Sequence, residues 1–141
     1  MSREQILAAI PHRPPMLLVD EIAEWHEERI VCRKTFQPDE WFFQGHYPEY
    51  ALVPGVILCE AAMQAGAVLL SKFTPGEGVP VVGRLNDVKF KRMVRPGESV
   101  LLDVTLDERM SDAFFLSAKV MCEGKTAVTL SFVVTMAKRD S

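Results

Sequence analysis

Apolar residues follow two patterns along this chain: short alternating stretches and one long continuous run. In residues 128–135, apolar side chains alternate with mostly small polar ones, which is typical of a strand with one face more deeply buried. The same reasoning predicts strands over residues 16–25, 29–36, 79–94, 99–108 and 113–137. We expect the third to be bent near residues 84–87, and the last to fold as a hairpin at Glu123-Gly124-Lys125.

The continuous run, residues 56–70, predicts a long buried helix because it is apolar nearly all round. Pro54 fits the first helical position, and a helix running from there to Phe73 would have about 20 residues and a length of roughly 30 Å. Residues 53–70 are long enough to cross a membrane. They include Glu60 and Gln64, however, and we interpret them as a core helix. A capping-box sequence, Ser2 to Gln5, predicts a short N-terminal helix.

One long apolar helix with several antiparallel strands indicates an α+β domain in which the sheet wraps around the helix. We expect residues 1–141 to form one domain. A single helix leaves the strand edges open, and pairing between two copies would cover them. The pattern therefore predicts a homodimer.

Composition excludes some classes of function. The net charge of −3 and the pI of about 5.6 give no electrostatic sign of nucleic-acid binding. Three widely spaced cysteines indicate a reduced, cytoplasmic compartment, and no Cys/His spacing resembles a zinc site. The N-terminus lacks the long apolar segment of a signal peptide.

Two side chains carry the candidate chemistry. Glu60 lies inside the apolar helix, where burial should keep a proton on its carboxyl group near neutral pH, and His46 lies in a Gly/Pro loop. Elimination of water from a 3-hydroxyacyl thioester needs a base, for which His46 is the candidate, and an acid, for which Glu60 is the candidate. Gly55, at the helix start, would offer an N–H to the thioester oxygen, and Gln64 would orient Glu60 from one turn away. This spacing alone is not specific.

The surrounding string is more specific. FQGHYP followed by LVPGVILCEAAMQAG resembles the signature of FabZ-type β-hydroxyacyl-[acyl carrier protein] dehydratases, in which a GHFPG loop precedes MPGV and an E-A-x-x-Q helix. PHRPPMLLVD and DVKFKRMVRPGE resemble two further segments of that family, in the family's order. The chain departs from the family pattern at Glu49, which replaces the usual glycine, at the four residues that follow it, and at Arg84 and Asn86. These differences bear on the identity of the substrate more than on the reaction.

The resemblance implies a hotdog fold and a dehydratase without a cofactor or a metal, acting in fatty-acid or related acyl-chain biosynthesis. It implies that His46 and Glu60 are the catalytic pair, meeting across a dimer interface, and that Gly55 and Val56 supply backbone N–H groups to the thioester oxygen. Assemblies of three dimers also occur in the family. The acyl carrier protein is the expected partner, with coenzyme A thioesters as the alternative carrier.

Basic residues cluster late in the chain at Lys89, Lys91 and Arg95. If one strand runs through them, they share a face, which is either an ordinary solvated surface or a landing patch for an acidic carrier protein. Arg84 and Lys72 would extend the patch.

Other functions remain open from the residues alone. A hotdog thioesterase would use Glu60 to activate water, and a non-catalytic acyl-thioester or carrier-binding module would use neither residue chemically. A nucleophilic Cys59 is a weaker hypothesis, because a buried cysteine usually acts as a small hydrophobe. His12 is expected only to hydrogen-bond the turn that follows Pro11.

Overall fold

A computed structural model describes residues 3–44, 51–73 and 79–137 of the chain. Within them, six strands form one antiparallel sheet with the order β1-β2-β4-β5-β6-β3. The strands are β1 Glu21–Trp25, β2 Arg29–Thr35, β3 Val79–Phe90, β4 Ser99–Met110, β5 Ala113–Cys122 and β6 Lys125–Ala137. The helices are α1 Arg3–Ala9 and α2 Gly55–Leu70, with 3₁₀ turns at Trp41–Phe43 and Ser71–Phe73.

Helix α2 lies in the curve of the sheet and contacts β2, β4, β5 and β6. Most of its side chains are buried among the inward-facing residues of those strands. The approach is close at Gly66, where an added Cβ would lie 2.9 Å from the ring of Phe132. The predicted α+β arrangement, with a sheet wrapped around one long helix, is confirmed.

The ends of α2 differ slightly from the prediction. Pro54 is the N-cap (φ −57°, ψ 136°) and the helix begins at Gly55, while the last predicted turn is the 3₁₀ turn Ser71–Phe73. The apolar segment Gly55–Phe73 is long enough to cross a membrane, but 61% of its most apolar window is buried inside the protein. This burial is typical of a helix in the core of a domain.

Two turns account for details of the strand pattern. The predicted hairpin is confirmed, and its turn places both Glu123 (φ 53°) and Gly124 (φ 78°) in the left-handed region, as a type I′ turn requires. The predicted bend in β3 is also confirmed. The pairing of β3 with β6 shifts register twice, between Val82 and Arg84 and between Asn86 and Lys89, and the second shift spans Asp87 (φ 54°).

Two predicted strands are shorter than expected. Strand β1 begins at Glu21 rather than Met16, because the backbone at Met16 and Leu18 bonds to a side chain of α2 instead of a neighbouring strand. Strand β3 ends at Phe90 rather than Val94, because the N–H groups of Lys91 and Arg92 both donate to Ala127 O and the chain turns away from the ladder. The residue pattern predicted strand in both segments but could not reveal these backbone partners.

Candidate active site

Glu60 lies near the middle of α2, and its side chain is 31% exposed within one protomer. The expectation of a fully buried carboxyl group is therefore wrong for the isolated protomer. The reason is that α2 leaves one stripe incompletely covered, at Val56, Glu60, Met63 and Ala67, which follow one another at helical spacing. Cys59 and Ala61, on either side of Glu60, are buried.

Gln64 lies one turn after Glu60, and its side chain is 1% exposed. Its Nε2 donates to Glu60 Oε2 (2.9 Å) and to Met16 O (2.8 Å), while its Oε1 accepts the N–H of Leu18 (2.8 Å). The amide thus fixes one carboxylate oxygen of Glu60 and ties the N-terminal segment to the helix. The spacing of the two residues predicted the first contact, whereas the other two depend on the tertiary fold.

His12 also lies at this carboxylate, with Nε2 at 3.8 Å from Glu60 Oε2. The turn holding it is fixed by Arg13, whose guanidinium donates to the carbonyl oxygens of Leu7, Ile10 and His12. Sequence reasoning had given His12 no role beyond hydrogen bonding in its turn. Nothing in sequence spacing could place it near Glu60, although its position in a proline-rich turn before a buried segment was visible.

The N-terminus of α2 borders an apolar groove of about 350 Å³, lined in part by Leu52, Val56, Phe90 and Met93. Ile57 and Leu58 donate the first helical hydrogen bonds, both to Pro54 O, so the N–H groups of Gly55 and Val56 precede the hydrogen-bonded ladder of the helix. An N–H at this end of a helix favours an anion or a polarised oxygen.

The need for glycine at position 55 has a visible cause. An added Cβ would lie 2.5 Å from Cε1 of Phe90, far inside van der Waals contact. The expected benefit was closer approach of a thioester oxygen. The structure adds a second one, because the missing side chain leaves room for the Phe90 ring.

His46 and the neighbouring Tyr47 belong to residues 45–50, outside the described part of the chain. The aromatic residues just before that segment are described: Phe42 and Phe43 are buried in the core, and Trp41 is 45% exposed and donates Nε1 to Pro15 O. No metal-binding group of three or more His, Cys, Asp or Glu side chains occurs among the residues that the structure describes.

The thiol of Cys59 is buried beside Glu60, and this burial raises its pKa. A thiol with a raised pKa is protonated near neutral pH and is a poor nucleophile. The structure therefore speaks against the hypothesis of a nucleophilic Cys59. Burial likewise raises the pKa of Cys32 to about 12.

The predicted basic patch is arranged differently from the expectation. Lys89 lies on β3, whereas Lys91 and Arg95 lie in the connection that follows it, so the argument that all three share one strand face is wrong. All three residues are nevertheless exposed. Lys89 borders a polar hollow of about 510 Å³ on the sheet, together with Arg29 and Lys119.

The family model of the FabA-like domain matches residues 10–131, which is most of the chain. The chain belongs to the FabA-like family. Its curated relatives include the 3-hydroxyacyl-[acyl-carrier-protein] dehydratase FabZ of Oenococcus oeni, 41% identical over 129 residues that make up 90% of this chain and 93% of the relative. The FabZ of Petrotoga mobilis is 33% identical over 138 residues, 98% of this chain and 99% of the relative.

A solved structure of the same architecture, the dehydratase heterocomplex ApeI:P of Xenorhabdus doucetiae, aligns with a TM-score of 0.81 at 15% identity over 95% of this chain and 91% of its own. The expected hotdog fold is confirmed by this similarity of architecture. The expected resemblance to FabZ dehydratases is confirmed by the family and by the relatives. The FabA-like match includes His12, His46, Glu60 and Gln64.

Proposed function

We propose that this FabA-like chain dehydrates 3-hydroxyacyl thioesters on acyl carrier protein to trans-2-enoyl thioesters, in fatty-acid or related acyl-chain biosynthesis. The activity named for its FabZ relatives supports the enzyme class expected from the sequence, a 3-hydroxyacyl-[acyl-carrier-protein] hydro-lyase. The observation that carries the proposal is Glu60, a carboxyl group held by the Gln64 amide on a largely apolar helix whose N-terminus borders an apolar groove.

In the proposed mechanism, His46 removes the proton from C2 of the substrate, and the electron pair forms the C2–C3 double bond as the C3–O bond breaks. Glu60 gives its proton to the departing hydroxyl, which leaves as water. The N–H groups of Gly55 and Val56 stabilise negative charge on the thioester oxygen, which the start of α2 favours. The proton on His46 then returns to Glu60 through solvent, and the enzyme is restored.

The two carboxylate oxygens of Glu60 have different roles in this scheme. Oε2 of Glu60 accepts the amide hydrogen bond of Gln64. Oε1 is then the oxygen that carries the transferred proton. An amide that fixes one oxygen also limits rotation of the carboxyl group, and this positioning is how a general acid gains rate.

A homodimer is part of the proposal, with His46 of one protomer meeting Glu60 of the other and three dimers as a larger assembly. Strand β3 is an edge of the sheet and exposes apolar side chains at Val81 (41%), Val82 (43%) and Leu85 (44%). Val56 on α2 is 71% exposed. Exposed apolar groups along a strand edge are a liability unless another chain covers them.

The assembly is tested by measuring the mass in solution of the wild type and of Leu85→Asp. We expect a wild-type mass of at least about twice 15.8 kDa and a smaller mass for the variant. Met110→Asp is the control, because Met110 is 55% exposed but lies at the end of β4, away from the β3 edge. A monomeric wild type would contradict the dimer.

The carrier-protein patch at Lys89, Lys91 and Arg95 is a further part of the proposal. These exposed cations would steer an acidic carrier protein toward the site, an effect that weakens with salt. Reversal of Lys89 and Lys91 to glutamate should raise KM for the carrier-bound substrate and leave a small thioester analogue unaffected. Equal loss on both substrates would contradict the patch. The extension to Lys72 has less support, since its Nζ donates to His26 O.

The reaction is tested with a short 3-hydroxyacyl thioester, following both enoyl absorbance and release of free thiol. We expect enoyl formation, with a loss of about 10²–10⁴-fold in His46→Ala, the usual contribution of a general base. His26→Ala is the matched control, because His26 is exposed in the turn between β1 and β2 and bonds Glu24. Thiol release without enoyl formation would indicate a thioesterase, and binding without either product a non-catalytic module.

The proposed compartment is the cytoplasm. The three cysteines, Cys32, Cys59 and Cys122, are all buried free thiols, as expected in a reducing environment. No cofactor takes part in the proposed reaction, because the acid and the base supply both proton transfers.

A further inference from the structure

The carboxyl group of Glu60 has a second polar neighbour besides Gln64. His12 Nε2 lies 3.8 Å from the same oxygen, Oε2, that Gln64 Nε2 contacts at 2.9 Å. A charge-assisted N–H···O bond is about 1 Å shorter than the His12 contact. Catalytic hydrogen bonds are often long in the absence of substrate and shorten when it binds. The two neighbours therefore converge on one oxygen of Glu60.

The position of His12 is fixed from both sides. On the N-terminal side of His12, the carbonyl oxygens of Leu7 (2.9 Å) and Ile10 (2.9 Å) accept hydrogen bonds from the Arg13 guanidinium, which also donates to His12 O (2.6 Å). After it, Gln64 holds the backbone of Met16 and Leu18. Two charged groups therefore lie at His12: Glu60, from α2, and Arg13, from its own segment.

The ring of His12 has one buried nitrogen. Nδ1 is inaccessible to solvent and makes no hydrogen bond within the described residues, whereas Nε2 faces the carboxyl group. A neutral imidazole carries one proton, and placing it on Nε2 directs a donor at Glu60 and leaves only a lone pair in the buried position. The opposite tautomer would bury an unpaired N–H and turn a lone pair toward a carboxylate oxygen.

We propose that His12 is a positioning residue for the dehydration, donating through Nε2–H to Oε2 of Glu60 and, with Gln64, reserving Oε1 for the proton transfer. This inference rests on the proposed function. When Glu60 gives up its proton, the charge on the resulting carboxylate is shared with two donors on the oxygen that does not react. His12 therefore lowers the barrier to proton transfer without touching the substrate.

The test is steady-state kinetics of His12→Gln, His12→Asn and His12→Met on a short 3-hydroxyacyl thioester. The glutamine amide can place a donor near the position of Nε2, whereas the asparagine amide falls short of Glu60 and methionine has no donor. We expect Gln to keep kcat within about threefold, and Asn and Met to lose about tenfold, the effect of one donor at about 1.4 kcal/mol, with KM little changed. Equal kcat values for Gln and Asn would overturn the proposal.

A double-variant comparison separates this inference from the proposed function. His12→Met on a Glu60→Gln background should cause no further loss, because the carboxylate through which His12 acts is absent. A tenfold loss on both backgrounds would show that His12 acts by another route and would overturn the inference. If the wild type forms no enoyl product, the proposed function itself fails. If wild type is active, Glu60→Gln is strongly impaired but measurable and His12→Met retains full kcat, only the His12 inference fails.

Discussion

Replacement of Gln64 by methionine should destabilise the protein although the two side chains have similar length and volume. The Gln64 side chain is 1% exposed and makes three hydrogen bonds, to Met16 O, Leu18 N and Glu60 Oε2. Methionine fills the same space but offers no donor and only a weak acceptor. The Leu18 N–H, on a residue that is 0% exposed, then lies buried without a partner.

The size of the stability loss depends on whether each polar group that Gln64 no longer contacts can bond to water instead. An unsatisfied buried N–H costs about 1–3 kcal/mol, and this applies in full to Leu18. Met16 is 44% exposed, so its carbonyl can bond to water instead, and Glu60, at 31% exposure, can do the same. These two losses add about 1 kcal/mol together. The free energy of unfolding should therefore fall by about 2–4 kcal/mol.

The assay is urea unfolding followed by circular dichroism at one fixed protein concentration, because the proposed dimer would make stability concentration-dependent. Gln37→Met is the matched control, since Gln37 is exposed and the same substitution there should change stability by less than about 0.5 kcal/mol. A Gln64→Met variant that unfolds within that margin of wild type would refute the reasoning, because it would show that the buried backbone of Leu18 does not depend on this amide.

Three further results are expected. Gly55→Ala should weaken activity, because the added Cβ would lie 2.5 Å from Cε1 of Phe90 and displace that ring. Phe90→Leu in the same chain should restore part of the activity, and an absence of rescue would contradict the steric account. Cys59→Ala should keep full activity, and alkylation of native Cys59 at pH 7.5 should be slow, since burial raises its pKa. For Cys32, whose pKa burial raises from 9.0 to about 12, the folded state keeps the proton that the unfolded state loses, so stability should fall as pH rises from 9 toward 12. Over pH 9–11, the free energy of unfolding of the wild type should fall more steeply than that of Cys32→Ala, by about 1.4 kcal/mol per pH unit. Equal slopes for the two proteins would contradict this prediction.

Local patterns predicted most of the fold because they report local physics. The hairpin turn at Glu123-Gly124 needs a residue that tolerates positive φ, and Gly124 signals it. The bend in β3 coincides with polar residues around Asp87. The start of β1 was predicted five residues early because Leu18 is apolar and buried, and a pattern of burial does not reveal whether the backbone bonds to a strand or to a side chain.

In the candidate site, as in the fold, only contacts between residues close in sequence could be predicted. The Glu60–Gln64 contact lies within one helical turn, and their spacing predicted it. The approach of His12 to Glu60 and of Phe90 to Gly55 joins distant segments of the chain, and only the tertiary fold brings them together. The exposed stripe at Val56 and Glu60 was also missed, since composition predicted a helix buried on every side.

In the turn between β5 and β6, position 123 holds a residue that local backbone preference would not select. Glu123 adopts φ 53°, which costs a residue with a Cβ about 1–2 kcal/mol and which asparagine tolerates better. Its carboxylate, however, accepts a hydrogen bond of 2.9 Å from Arg92, a residue that lines the groove at the start of α2. Asparagine at position 123 would suit the hairpin, but it would remove the carboxylate that accepts the hydrogen bond of Arg92. Engineering for thermostability at this turn would therefore trade hairpin stability against the shape of the groove, about thirty residues away along the chain.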